Sequence, residues 1–437
     1  MKTTTPALDR DRLLSRYRQN RERSRGLFGM IPDESWLDRP IPLRHAIVFY
    51  EGHLPAFNVN TLIRNGLGLD GVDPRFEILF ERGIDPGSED EANDLTIESW
   101  PSRTAVQAYG AATDRRIEAL ILEADLERDD RPAMAGGEAL WTILEHEPMH
   151  HETLLYMFHA LDPARKRMPT RSFSPGRAAT SREERVVVPR GRARIGSRRS
   201  EIPFGWDNEF EAIEVDVPEF EIGAHNVTNG EFLQFVDAGG YDNSELWRKG
   251  ETPQSSHPHF WIPSEAGWKI RTMTGEAPLP LDWPVWVTQD EASAFAQWKG
   301  MRLPTEAEYD RAAWGTPDGS ERKFPWGDEE PGALHGNFDL RAWDPMPVGS
   351  FPAGRSAWGI EDLVGNGWEW TSTPFSPLPG FQPMASYPLY SAEFFDGEHY
   401  VLKGASPVTS RDLVRRSLRN WFRPDYPYLF ASFRCVR

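Results

Sequence analysis

The chain is 437 residues long, with 67 acidic residues against 49 Lys plus Arg, and its net charge of −18 opposes a polyphosphate backbone. Its single cysteine, Cys435, excludes an internal disulfide, a Cys-based zinc site and any mechanism that needs a cysteine pair. The stretch Asp9-Arg-Asp-Arg-Leu-Leu-Ser-Arg-Tyr-Arg18 is charged throughout and no run approaches the roughly 18 apolar residues of a membrane span, so the expectation is a cytoplasmic protein with no nucleic-acid or membrane partner.

In chain order, residues 1–165 read as helix. Apolar residues recur three and four apart over 43–67 and 138–161, and the intervening segments are charged and rich in helix formers. Residues 166–185 carry breakers, positive charge and no period, and read as a linker. Residues 186–437 change character. Val186-Val-Val-Pro-Arg-Gly-Arg-Ala-Arg-Ile-Gly and Ile213-Glu-Val-Asp-Val-Pro-Glu-Phe-Glu-Ile alternate as short strands do, and only 290–299 and 305–313 read as helices. Most of the tryptophans lie here among evenly spread Gly and Pro, which predicts loops packed on aromatic anchors. No internal repeat or low-complexity tract interrupts this α+β plan.

The first chemical signal is Glu145-His-Glu-Pro-Met-His-His-Glu152. On a helix His146 and His150, four apart, share one face one turn apart and can chelate one ion, whereas His151 points elsewhere. Flanking Leu144, Leu154, Leu155 and Phe158 turn that face toward a bundle interior. Pro148 lies between the two histidines, removes an amide donor and frees the Leu144 carbonyl, a local cost. His53, in Phe49-Tyr-Glu-Gly-His-Leu-Pro-Ala-Phe57, is the best third ligand because its neighbours are apolar or aromatic; by itself it would read as a hydrogen-bonded core histidine. His45 and His159 are weaker candidates. Three imidazoles without a thiolate suit Fe(II), Zn(II), Ni(II) or Cu(II), and three ligands leave coordination positions open for chemistry.

The second half contains Val227-Thr-Asn-Gly-Glu-Phe, Gly300-Met-Arg-Leu-Pro-Thr-Glu-Ala-Glu308, Phe324-Pro-Trp-Gly327, Gly365-Asn-Gly-Trp-Glu-Trp-Thr371 and Phe430-Ala-Ser-Phe-Arg434. Together they resemble the formylglycine-generating-enzyme-like domain, a variant of the C-type lectin fold. Preceded by a bundle carrying H-E-x-x-H-x-E, the chain resembles the ergothioneine-pathway sulfoxide synthases and their relatives, the selenoneine synthases. The resemblance implies a DinB-like four-helix bundle over 1–165, the linker 166–185, and the lectin-like domain over 186–437. It also implies a mononuclear nonheme Fe(II) on His53, His146 and His150, and O2-dependent joining of a sulfur or selenium donor to the imidazole of hercynine.

By the same resemblance Tyr387, in Ser386-Tyr-Pro-Leu-Tyr-Ser-Ala-Glu-Phe-Phe-Asp-Gly397, is the catalytic proton donor, and Tyr390 lines the substrate pocket. Asn420 matches a residue near the hercynine carboxylate, and Trp421, Phe422 and Tyr390 offer aromatic faces for a trimethylammonium group. Two departures bear on the donor. Family members that use γ-glutamylcysteine carry an Asp and an Arg where this chain has Phe422 and Tyr426, which points to a selenosugar or a small thiol such as cysteine; Arg423 and Asp425 are the charges nearby. A glutamine often found just before the second metal-helix histidine is replaced by Met149. Two further readings are an ergothioneine-type sulfoxide synthase using cysteine or γ-glutamylcysteine, and a non-catalytic, metal-stabilised small-ligand-binding protein. Formylglycine generation itself fails on the single cysteine.

Overall fold

The computed structural model describes residues 8–81, 100–128, 130–169, 184–248 and 255–437; most of the expected linker, 170–183, lies outside them. The chain forms two compact units, one of Met1–Pro169 with Pro383–Tyr390, the other of Thr170–Gln382 with Ser391–Arg437. The short stretch 383–390, which the sequence division puts with the C-terminal domain, packs with the first unit instead. Among the described residues no helix is long and apolar enough to cross a membrane.

In the first unit the described residues form four long helices and one short one. Helix α1 (Arg10–Gly29) starts where the Asp9 side chain accepts the Arg12 amide, and α4 (Arg103–Glu123) starts where Ser102 accepts that of Ala105. Helix α2 (Ile47–Asn58) runs directly into a π-helical segment, Val59–Gly66, so the periodic stretch expected over 43–67 is helical from residue 47 onward. The short α3 (Pro74–Leu79) follows, capped by Asp73. Helix α5 (Glu138–Ala160) is buried on nearly every side, and its middle turns bury Glu145, His146, Glu147, His151 and Glu152 together with the apolar side chains. It continues through Pro148, and the carbonyl of Leu144 that the proline strands is taken by Asn20 Nδ2 of α1 at 2.9 Å. Charge also enters this core: Arg21 lies between Asp114 at 2.7 Å and Glu147 at 2.8 Å, a buried cation paired on both sides.

The second unit is built from small sheets and short helices. Strands β1 (Arg185–Val188) and β4 (Phe220–Gly223) pair antiparallel, as do β2 (Gly191–Ile195) and β3 (Ile213–Val217), while β5 (Trp261–Ser264), β6 (Gly267–Thr272) and β7 (Gly275–Pro278) form a meander. The largest sheet has the order β10 (Asn420–Phe422), β9 (Tyr400–Ala405), β8 (Gly367–Pro374) and β11 (Ala431–Ser432), its last pair parallel. Val188, Val217, Ile222, Tyr309, Trp314, Leu363 and Val436 share one core cluster. Arg434 is fully buried, paired with Glu369 at 2.6 Å and donating to backbone carbonyls at both ends of its guanidinium.

Three helices, α6 (Asn229–Asp237), α7 (Gln289–Trp298) and α8 (Glu306–Trp314), each open on a threonine capping box, with Thr228 and Glu231, Thr288 and Glu291, and Thr305 and Glu308. The sequence reading finds only the last two, and α6 corrects it. Its signal, Thr228-Asn-Gly-Glu231, stands within a phrase that a nine-residue helix is too short to mark by periodicity.

Candidate metal centre

Helix α5 presents His146 and His150 one turn apart, with their Nε2 atoms 3.0 Å from each other. Helix α2 brings His53 against both, its ring centroid 5.2 Å from that of His146 and 5.0 Å from that of His150. One ligand nitrogen from each residue falls within a cluster 4.8 Å across, the set of three nominated from the sequence. His45 and His159 stay outside this cluster: His45 stacks on Phe49 at 4.1 Å, and His159 is buried in the last turn of α5.

The rings are oriented by their neighbours. His53 Nδ1–H donates to the Phe80 carbonyl at 2.8 Å, which selects the tautomer whose Nε2 lone pair is free. Phe80 gets this close because residue 52 is glycine; a Cβ there would stand 2.4 Å from the Phe80 ring. Phe57, one helical turn beyond His53, lies flat on His146 at 3.5 Å and 8°. Burial lowers the His53 pKa to about 4, against a weaker raising contribution from the Phe80 hydrogen bond. Burial also holds His146 and His150 well below the ordinary imidazole range, helped by neighbouring histidines. All three imidazoles are therefore neutral at pH 7 and carry available lone pairs.

This donor set fits a divalent transition metal. Two nitrogens about 2.1 Å from one ion and at right angles stand about 3.0 Å apart, the separation of the two α5 nitrogens. The Nδ1 atoms of His146 and His150 are buried without a hydrogen-bond partner among the described residues, so any ordering of these rings comes from packing and from what Nε2 holds. His151 faces away, as expected. Its Nε2 lies 2.7 Å from Ser24 Oγ, and Ser24 in turn donates to Glu147.

Tyr387 and Tyr390 belong to the first unit through the stretch 383–390. The Tyr387 ring stands 5.2 Å from Phe57 and 6.3 Å from His146, nearly perpendicular to each. Tyr390 is 5.9 Å from Tyr387, and its hydroxyl approaches the Met149 sulfur at 3.8 Å, a weak acceptor at the position of the missing glutamine. The stacking of Phe57 on His146 and the pairing of Gly52 with Phe80 are absent from the sequence reading. The i+4 spacing from His53 to Phe57 and a glycine inside a helix were their available signals.

The remaining nominated residues lie in the second unit. Asn420, Trp421 and Phe422 form β10, at the edge of its sheet. Asn420 Oδ1 accepts the Trp421 amide at 2.9 Å, and Trp421 stacks on Phe375 at 4.2 Å. Phe375 also carries the Arg419 guanidinium 5.0 Å from its centroid, and Arg419 is fastened to Glu306 at 2.9 Å. Phe422 and Tyr426 stack on each other at 5.2 Å, while Arg423 pairs with Glu398 at 2.5 Å. Cys435 is buried, and burial pushes its thiol up to about 12, so no thiolate is available from it.

Residues 171–437 match the model of the sulfatase-modifying factor enzyme 1-like domain, and residues 16–154 match that of the DinB superfamily. A hercynine oxygenase of Mycolicibacterium thermoresistibile is 36% identical over 418 residues, covering 90% of this chain and 87% of that protein. One of Mycobacterium tuberculosis is 39% identical over 405 residues, covering 91% of each. Ergothioneine biosynthesis protein 1 of Neurospora crassa is 29% identical across 93% of this chain, which spans 55% of that longer protein. With relatives named hercynine oxygenase 36% and 39% identical along nine-tenths of its length, and with its own residues matching the DinB superfamily and then the sulfatase-modifying factor enzyme 1-like domain, the chain belongs to the family of the hercynine oxygenases.

Proposed function

We propose that this protein is a nonheme Fe(II)- and O2-dependent oxygenase that joins a selenium or sulfur donor to the imidazole of hercynine. The observation that carries the reading is the cluster of three neutral imidazoles, His53, His146 and His150, with a phenol, Tyr387, beside one of them. These histidines would hold the iron, which when bound supplies O2 activation and a common template for both substrates. The new bond replaces an imidazole C–H and a donor S–H or Se–H, and the two protons and two electrons released reduce O2 either to H2O2 or, when one oxygen atom is placed on the sulfur or selenium, to H2O.

The chain's own residues do the rest. Phe49 and Phe57 pack on His53, Phe57 lies flat on His146, and the Phe80 carbonyl holds His53 Nδ1, so the ligand rings stand in fixed orientations. Tyr387 holds a proton on Oη for delivery toward the reacting oxygen. Tyr390, Trp421 and Phe422 offer aromatic faces to the trimethylammonium group, and Asn420 offers its amide to the carboxylate. Phe422 and Tyr426, stacked on each other, favour an uncharged carbon skeleton over the zwitterion of γ-glutamylcysteine. A selenosugar or a small thiol is the preferred donor, the selenosugar slightly ahead because it has no charge for those positions to pair.

The test is anaerobic loading with Fe(II), then O2 uptake with hercynine and each of cysteine, γ-glutamylcysteine and a selenosugar, with products identified by mass. Hercynine-dependent uptake and a conjugate of hercynine with one donor support the reading. Tight metal and hercynine binding without uptake for any donor would instead support a metal-stabilised binding protein.

A further inference from the structure

Ser386 immediately precedes Tyr387, and the bundle engages every polar group it has. Its backbone N–H donates to Glu138 Oε1 at 2.8 Å. Its carbonyl and that of Ala385 accept from Asn65 Nδ2 at 3.3 and 3.1 Å. Its hydroxyl lies 2.8 Å from Thr142 Oγ1. Thr142 donates its own proton to the Glu138 carbonyl at 2.8 Å, so Ser386 is the donor in that pair. Glu138 and Thr142 stand one turn apart at the start of α5, which carries His146 and His150, and Asn65 lies in the π-helical segment that continues directly from α2, which carries His53.

Tyr387 has little freedom left. Pro388 confines its backbone to extended conformations, and its carbonyl accepts the Tyr390 amide at 3.2 Å. With residue 386 held and residue 387 restricted, the position of the phenol depends on two side-chain torsions and on packing against Phe57.

We infer that Glu138, Thr142 and Asn65 are positioning residues that clamp Ser386 and thereby set where the Tyr387 phenol stands beside His146. This inference rests on the reading of Tyr387 as the proton donor. A proton donor displaced by about 1 Å loses much of its effect, so loosening the clamp diverts turnover toward oxidation of the donor alone.

The experiment uses the full chain with two readouts: hydrogen–deuterium exchange of the Ser386 amide in the metal-free protein, and hercynine consumed per O2 after Fe(II) loading, with cysteine and a selenosugar as parallel donors. Glu138→Ala should speed exchange about fivefold, the effect of losing one hydrogen bond, and lower hercynine consumed per O2 toward the Tyr387→Phe value, with Fe(II) stoichiometry unchanged. Glu138→Gln keeps an acceptor oxygen and should restore both readouts. Thr142→Val should act like Glu138→Ala; if it fails to fold, the Glu138 pair decides, because Glu138 is partly exposed at the helix start. Wild-type exchange and coupling in Glu138→Ala, with Tyr387→Phe uncoupled, would overturn the clamp and leave the role of Tyr387 standing. Wild-type coupling in Tyr387→Phe would remove that role, and this inference with it.

Discussion

Gly52→Ala is a substitution whose usual sign the tertiary structure reverses. Inside a helix, Ala is favoured over Gly by about 0.5 to 1 kcal/mol, so α2 considered alone would gain stability. The new Cβ would meet Cε2 of Phe80 at 2.4 Å and Cδ2 and Cζ at 2.5 Å, each about 1 Å inside ordinary carbon contact. Phe80 is fully buried, with Phe49, Phe76 and Trp100 around its ring, so the ring has no free space to turn into. Overpacking of this kind costs about 1 to 3 kcal/mol, and moving Phe80 lengthens the 2.8 Å bond from its carbonyl to His53 Nδ1, worth another 0.5 to 1.5 kcal/mol or so. The net expectation is a loss of about 0.5 to 4 kcal/mol and, because the tautomer of His53 is no longer fixed, about 10- to 100-fold weaker Fe(II) binding. Thermal unfolding and anaerobic Fe(II) titration measure the two effects. Phe80→Leu added to Gly52→Ala relieves the clash while keeping the backbone carbonyl, and should recover part of both. A Gly52→Ala protein that melts higher and binds Fe(II) as tightly as wild type would refute the argument.

Replacing His146 or His150 with Ala should abolish Fe(II) binding while circular dichroism stays near wild type; His151→Ala should keep the metal but melt lower, since Ser24 loses a buried partner. If His151→Ala emptied the site and His150→Ala did not, the helix-face assignment would be wrong. Asn20→Ala strands the Leu144 carbonyl above Pro148 and should cost about 1 to 3 kcal/mol in denaturant unfolding, whereas an unchanged midpoint would mean that water reaches that carbonyl. Phe422→Asp combined with Tyr426→Arg installs two charges, each able to make a charge-assisted hydrogen bond of about 1.5 to 3 kcal/mol, and should raise kcat/KM for γ-glutamylcysteine tenfold or more at roughly constant hercynine KM. Efficient use of γ-glutamylcysteine by the wild-type chain would show that other groups, Arg423 or Arg419 among them, supply that grip.

Helix geometry is local, and features that depend on it alone were legible in the sequence. Four residues of separation put His146 and His150 on one face whatever packs against them, and Pro148 strands the Leu144 carbonyl in any helix that contains it. The capping boxes at Thr288 and Thr305 announce α7 and α8 in the same way, and Thr228 announces α6 to a reader who weighs a cap above a period. The ordered motifs of the second half carried the fold through their resemblance to the formylglycine-generating-enzyme-like domain.

What tertiary structure alone decided are pairings between groups far apart in the chain. The stranded carbonyl is filled by Asn20, 124 residues away, and the His53 tautomer is chosen by a carbonyl 27 residues on that only a glycine lets approach. The stretch 383–390 follows more than two hundred residues of the second domain, yet its unit is the bundle, because Glu138, Thr142 and Asn65 satisfy the polar groups of Ser386 there. Periodicity and capping constrain dihedral angles over about ten residues. Which donor meets which acceptor across a core is settled by packing, because a buried polar group must find its partner wherever the fold provides one.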